Sequence, residues 1–244
     1  MKLDLYSFEI IMGYKIKNVY IWNKLVWGQG SWPTPPTPGW QPWPNTVAYF
    51  PLTSTTTYYD QTSNENNLDG GSATYWVYQG IDCAYFNRSD EIHGTVAWNV
   101  YSWDPRTFSC WCYLTSISGE GDIFSAGRNG YHNAFQLYYS DWGIWVRTYY
   151  DDAILNWVSP YLNRWINLVG TYDGNWHVIA YVNGIQIASS NITLDTYNSD
   201  VYIGRFLTNG LVGWVSNAII EDVAWSASEV VDYFNATKWE YGVS

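Results

Sequence analysis

The chain has 244 residues, enough for one large β domain with a small appendage or for two modest domains, and long enough to need no disulfide framework. Charged residues make up 14% and aromatics 20%, a balance that favours strands over helices. With 11 Lys and Arg against 22 Asp and Glu, the net charge of −11 opposes a phosphate backbone and excludes nucleic acid as a natural partner. The acidic residues are scattered along the chain, so they act as a solubility device or as a supply of cation ligands.

Residues 1–18, MKLDLYSFEIIMGYKIKN, contain Asp4 and Glu9 and no uninterrupted apolar core. No secretory signal is expected, and no later stretch approaches the length of a transmembrane helix, so no membrane insertion is expected. If Met1 is the natural start, the protein reaches the outside by a signal-less route or by assembly into a particle. The sequons at Asn87, Asn191 and Asn235 are then accidental. Residues 14–27 alternate and break at Asn23-Lys24, the pattern of two short strands in a hairpin. A lone hairpin is marginal in water, so segment 1–30 is expected to pair with the main domain or another chain.

Segment 31–45, SWPTPPTPGWQPWPN, holds six of the nine prolines. As polyproline II it spans about 45 Å, yet leaving Trp32, Trp40 and Trp43 wet is costly at about 25 cal/mol per Å² of apolar area. It reads as an ordered strap whose tryptophans dock on this domain or on a neighbouring copy.

From Thr46 onward short strands alternate with turn residues. The expected strands are 46–52, 81–87, 106–115, 121–127, 134–139, 143–149, 164–172, 176–183, 185–190, 200–205 and 211–225. Asp173-Gly174-Asn175, Asn183-Gly184 and Asn209-Gly210 carry hairpin-turn chemistry. Ser226 and Glu229 form a capping box opening one or two helical turns. No repeat of 20–50 residues is visible, which excludes a propeller or solenoid. The fold class is all-β: a two-sheet antiparallel jelly-roll sandwich over 46–244. Cys83, Cys110 and Cys112 suit small buried thiols better than a disulfide scaffold. Cys110 and Cys112 share one strand face, with no His nearby in sequence to complete a zinc set.

The order of segments resembles the laminin-G-like, concanavalin A-like lectin and glucanase superfamily. "NTVAYFPL…YYDQTSNENNLDG" looks like its first strand and Asp/Asn-rich turn, and "GIDCAYFNRSDEI" like its strand ending in F-n-G. "RTFSCWCYL" is similar to its F-T-I-S-A-W-V-K strand, with Trp111 on the family tryptophan. "NRWINLVGTYDGNWHVIAYVNGIQIA" and "DVYIGRFLTNGLVGWVSNAIIEDVAWSASEVVDYFN" are similar to its later strands and closing helix. The resemblance covers about residues 46–237 and is specific for fold, not for ligand. The N-terminal "KIKNVYIWNKLVWG" looks like hairpins that precede such domains in phage tail and other virion proteins.

The glucanases of this superfamily use two carboxylates in an E-x-D-x-x-E strand, with retaining pairs about 5–5.5 Å apart. The nearest approach is "EGDIFS", where Glu120 and Asp122 fit but Ser125 takes the third place; these read as polar residues in a loop entering a strand. His93, His132 and His177 lack a partner at diagnostic spacing. No catalysis is expected.

The resemblance also implies a calcium ion, with Asp60 and Asp222 as the candidate pair beside Asn64 and Glu65, all oxygen donors. A glycan ligand needs aromatic faces framed by hydrogen-bonding groups. The candidates are Tyr131, His132, Trp142, Trp145, Arg147, Tyr149, Trp157 and Trp176. In "YYSDWGIWVRTYYDD" alternation places Trp142, Ile144 and Val146 on one face and Trp145, Arg147 and Tyr149 on the other. Two functions are expected for a virion or extracellular appendage: adhesion to surface glycans or proteins, and assembly as a homo-oligomer or with neighbouring structural subunits. The alternative is a purely structural coat, fibre or filament subunit whose N-terminal strands add to a neighbour's sheet.

Overall fold

The chain divides after Pro38. The computed structural model describes residues 40–97, 103–128, 130–148, 152–155, 161–196 and 200–244; segment 1–30, Trp32, Tyr149 and Trp157 lie outside them. In chain order the elements are β1 (Thr46–Phe50), β2 (Gly70–Gly71), β3 (Thr74–Tyr78), β4 (Ile81–Asn87), β5 (Ile92–Thr95) and β6 (Arg106–Leu114). Next come β7 (Gly121–Gly127), β8 (Ala134–Ser140), β9 (Gly143–Arg147), β10 (Asp152–Leu155), β11 (Trp165–Tyr172) and β12 (His177–Val182). The last are β13 (Ile185–Asn191), β14 (Asp200–Ile203), β15 (Arg205–Phe206), β16 (Asn209–Gly210), β17 (Val212–Glu221) and the helix α1 (Ala227–Thr237).

The strands form two sheets. Sheet A runs β13-β12-β11-β6-β17-β4-β3, with β1 also on β17; sheet B runs β10-β9-β8-β7-β14-β5-β2, with β15 and β16 beside it. Strand β17 carries β6 on one edge, and on the other it pairs β4 through Val212–Val215 and β1 through Ala218–Glu221. A bulge between Ser216 and Ile219, with Asn217 at φ +50°, lets one strand serve both partners. Asn183-Gly184 makes the β12–β13 hairpin with φ +52° and +76°, the double positive φ of a type I′ turn.

Four expectations need correction. Asn209-Gly210 is not a turn: Leu207, at φ +58°, and Thr208 turn the chain, while Gly210 bridges Arg205 and Asp122. Glycine is needed there because a Cβ would collide with the Arg88 carbonyl. Gly204, at φ +86° against the Phe86 ring, breaks the expected 200–205 strand in two. The 211–225 strand stops at Glu221, before the chain turns into the helix, and α1 has 11 residues, three turns rather than one or two. Strands β2, β3, β5 and β10 were not expected.

Between the sheets lies the main core. Phe108 of β6 packs on Phe124 of β7 and Phe135 of β8, at 4.7 and 5.2 Å between ring centres. Cys110 and Cys112 are free and point into the same core, where burial pushes the Cys110 thiol up. A second apolar layer covers the outer face of sheet A. Trp111 lies flat on Tyr241 at 4.0 Å, and its Nε1 donates to Thr237 Oγ1 of α1 at 3.0 Å. Trp40 packs edge-on against Tyr49 and Tyr233, and Trp43 against Trp225. The helix is positioned by its capping box, Ser226 N–H to Glu229 Oε2 (2.7 Å) and Glu229 N–H to Ser226 Oγ (3.3 Å).

Candidate functional site

The outer face of sheet B has a different chemistry. Strand pairing lines up His93, Tyr202, Ser125, Gln136 and Arg147 in one row across β5, β14, β7, β8 and β9. A second row holds Asp122, Tyr138 and Trp145. Their strand neighbours Phe124, Leu137, Val146, Val201 and Ile203 face the core, so alternation sends these side chains outward. Asp122 and Ser125 are three residues apart and would fall on opposite faces of a regular strand. A bulge between Asp122 and Phe124 turns both Ile123 and Phe124 to the core and leaves both polar residues outside.

Asp122, Ser125, Gln136 and Tyr138 form a buried floor, while Trp145, Arg147 and Tyr202 are half-buried and His93 is exposed. Ser125 Oγ donates to Asp122 Oδ2 at 2.8 Å, and Gln136 Nε2 to Oδ1 at 3.2 Å. Burial pushes the Asp122 carboxyl up to about 8, although Ser125, Gln136 and Arg147 all favour its anion. The Arg147 guanidinium sits 4.8 Å over the Tyr138 ring, and Trp145 meets that ring edge-on at 6.4 Å. Burial and then Glu120 push the Tyr138 phenol up, so it stays protonated. His93 stacks on Tyr202 at 6.3 Å and approaches Glu91 Oε1 at 3.4 Å; Glu91 Oε2 also lies 3.3 Å from Arg205 Nε. Gln136 Oε1 and Trp145 Nε1 are buried with no hydrogen-bond partner among the described residues. Such groups are costly unless something arrives to pair them.

A family profile described as the concanavalin A-like lectin/glucanases superfamily matches residues 93–231, more than half of the chain. The chain belongs to this superfamily. No curated protein matches it. Among solved structures it is similar to domain 4 of AbnA, a GH43 extracellular arabinanase from Geobacillus stearothermophilus, in complex with arabinotriose. That match has a TM-score of 0.59 at 20% identity and covers 78% of this chain and 98% of that one. The binding domain of Paraclostridial Mosquitocidal Protein 1 gives 0.64 at 18% identity, over 79% of this chain and 52% of that one. The binding domain of botulinum neurotoxin DC in complex with SialylT gives 0.62 at 12%, over 79% and 52%. The chain thus spans about half the length of the two toxin domains, and these likenesses show the fold.

On this superfamily frame "EGDIFS" is not a loop: Asp122 and Ser125 lie within β7 on the outer face, and Glu120 is exposed just before it. Of the ligand candidates among the described residues, only Trp145 and Arg147 join the two rows. Trp142 is not on the core side with Ile144 and Val146; it sits at the tip of the β8–β9 hairpin, 75% exposed. Tyr131 and His132 lie in the β7–β8 loop and Trp176 in the β11–β12 turn. The His132 carbonyl accepts the Asp195 N–H at 2.8 Å, and Trp176 lies 6.1 Å from Trp103. The Trp176 carbonyl accepts the Ile192 N–H at 2.7 Å, so both loops meet segment 192–195, and none of these three residues belongs to the rows. Residues that sequence reading missed are His93, Gln136, Tyr138 and Tyr202. Alternation in AFQLYYS and DVYI was the available signal for the last three.

The residues proposed for calcium do not fit a cage. Asp60 Oδ1 accepts the Tyr49 and Thr62 N–H groups, and Oδ2 accepts Thr62 Oγ1 and the Asn66 N–H, at 2.7–2.9 Å. Asn64 binds through its nitrogen, donating to the Thr46 and Val47 carbonyls. Asp222 is exposed, its N–H directed to the Asn45 carbonyl. Among the described residues no group of three or more His, Cys, Asp and Glu is placed to hold a metal ion. Among them, too, no helix is long and apolar enough to cross a membrane.

Proposed function

We propose that the domain is a non-catalytic glycan-binding module of a virion or other extracellular appendage, and that its ligand lies on the outer face of sheet B. The observation that carries this reading is the pair of cross-strand rows, in which Trp145 Nε1 and Gln136 Oε1 are buried without partners. Trp145 and Tyr202 offer aromatic faces to sugar C–H groups, and Arg147 and His93 offer donors at their edge. The fold neighbours that carry arabinotriose and SialylT support the ligand class. The same rows argue against hydrolysis: Ser125 replaces the third carboxylate, and buried Asp122 is engaged by Ser125 and Gln136. A glycan array on the full-length protein tests this. Binding that falls roughly tenfold in Trp145→Ala supports the site, and binding unchanged in that variant moves the ligand elsewhere.

A second reading, a structural subunit without a glycan, is favoured by β3. Among the described residues it is an edge strand of sheet A, with Trp76 46% and Val77 66% exposed and no further strand paired to it, the kind of edge that strand addition uses. A blank array together with concentration-dependent polymers of the full chain would favour that reading.

A further inference from the structure

We propose that Asp122 is held as a neutral carboxylic acid donating its proton to Gln136, and that this bond positions the Arg147 row and makes ligand binding pH-dependent. The proposal deepens the glycan-binding reading of this face and rests on it for its ligand-binding part.

The geometry poses a satisfiability problem. An ionised Asp122 can only accept, so Gln136 must turn its nitrogen toward Oδ1, as it does at 3.2 Å. That leaves Gln136 Oε1 buried with no partner among the described residues. Turning the amide over exchanges two atoms of nearly equal size. Asp122 O–H then donates to Gln136 Oε1, Ser125 Oγ still donates to the other carboxyl oxygen at 2.8 Å, and the acceptor is no longer orphaned. The Gln136 NH2 group, now released from Asp122, takes the buried place that Oε1 held beside Arg147, its cross-strand neighbour, and is paired only when the ligand brings an acceptor there.

The groups around Asp122 decide how firmly the proton is held. Arg147 of β9 favours the anion, as do the donors Ser125 and Gln136. Tyr138 of β8 and Cys110 of β6, also near this carboxyl, are themselves pushed up by burial and stay neutral. Glu120 lies at the entry to β7, and Tyr202 of β14 and His93 of β5 continue the Ser125 row. Burial outweighs the groups that favour the anion, and the carboxyl titrates at about 8. Above that point the new charge attracts the Arg147 guanidinium away from the Tyr138 ring and recaptures the Gln136 nitrogen. The face loses two ligand donors together.

The test is a carbon-13 titration of the aspartate carboxyls in the full-length protein, with the Gln136 side-chain amide followed in parallel. Both resonances should move with one midpoint near 8. An Asp122 that is already ionised at pH 5, or a Gln136 amide that does not follow it, overturns the proposal. Ser125→Ala removes a donor to the anion and should move the midpoint further up; a midpoint that moves down also overturns it. Affinity is then read against pH with arabinotriose, or with the tightest array glycan if arabinotriose is not bound. At pH 9 only about a tenth of the molecules keep the neutral acid, so wild-type affinity should fall roughly tenfold from its value at pH 6.5. Asp122→Asn should give a flat profile. A flat wild-type profile with Asp122 titrating near 8 overturns the link to binding. If no glycan binds at any pH, the glycan reading fails while the titration still decides the Asp122–Gln136 bond.

Discussion

The outer faces of the two sheets are built by the same alternation and do opposite things. On sheet A the outward residues include Trp111, Tyr113, Trp165 and Trp214, all buried: Trp111 and Trp165 against Tyr241, and Tyr113 and Trp214 against Tyr78 of β3. On sheet B they are Asp122, Ser125, Gln136, Tyr138, Trp145, Arg147 and Tyr202, with a polar floor and half-buried aromatics. A sandwich needs only one dry interface to fold, so each outer face is free to take its own chemistry. An apolar outer face requires a cover, and the chain supplies one. Unpartnered buried atoms occur on both faces, Trp165 and Trp214 Nε1 on sheet A and Trp145 Nε1 and Gln136 Oε1 on sheet B. Only the face of sheet B sets its rings among donors and acceptors that no part of the described chain covers, and it is there that we propose the ligand lies.

The comparison can be broken most forcefully on sheet A. Trp111→Ala removes a fully buried ring stacked on Tyr241 and the hydrogen bond to Thr237. It should cost about 3–5 kcal/mol in denaturant unfolding; a loss under about 1 kcal/mol would mean that the layer is not a core.

Glu221 tests the seam where β1 joins β17. It is fully buried, accepts Thr46 Oγ1 at 2.6 Å, and is pushed by burial from 4.5 to about 7. Because the folded value is the raised one, its contribution is fully present below the unfolded value and is lost as pH rises through about 7. Glu221→Gln should therefore stabilise the fold near pH 8 by about 1–3 kcal/mol relative to its effect near pH 4. Equal effects at the two pH values would show that Glu221 is not held neutral. Ser226→Ala, which removes the capping box over sheet A, should cost about 1 kcal/mol. The smallest effect is expected from chelation: with Asp60 saturated by protein donors, EDTA should shift the melting temperature by less than about 2 °C. A larger drop would restore the calcium site.

The frame was legible because most strands are short, alternating and bounded by turn residues. Strands β4 and β7 have the limits that alternation gives them, and Asn183-Gly184 is the turn that its residues demand. What escaped reading broke the period of two. TYWVY carries large side chains on both faces of an edge strand and shows no alternation, and IHGT is short with an internal glycine. The bulge in β7 brings Asp122 and Ser125 to one face, whereas a regular strand would separate them. The site on sheet B was legible only in part for a related reason. Trp145 and Arg147 stand out as bulky outward residues of one strand, but their partners come from four other strands whose order is a tertiary fact.

The central claim, that the face of sheet B and not the aromatic face of sheet A meets the ligand, is tested most directly by indole resonances. With nitrogen-15 tryptophan in the full-length protein, titration with a glycan bound on the array should shift the Trp145 Nε1 signal and leave the buried Trp111 signal in place. Saturable binding that leaves Trp145 unmoved while shifting Trp76, Trp103 or Trp176 would contradict the account.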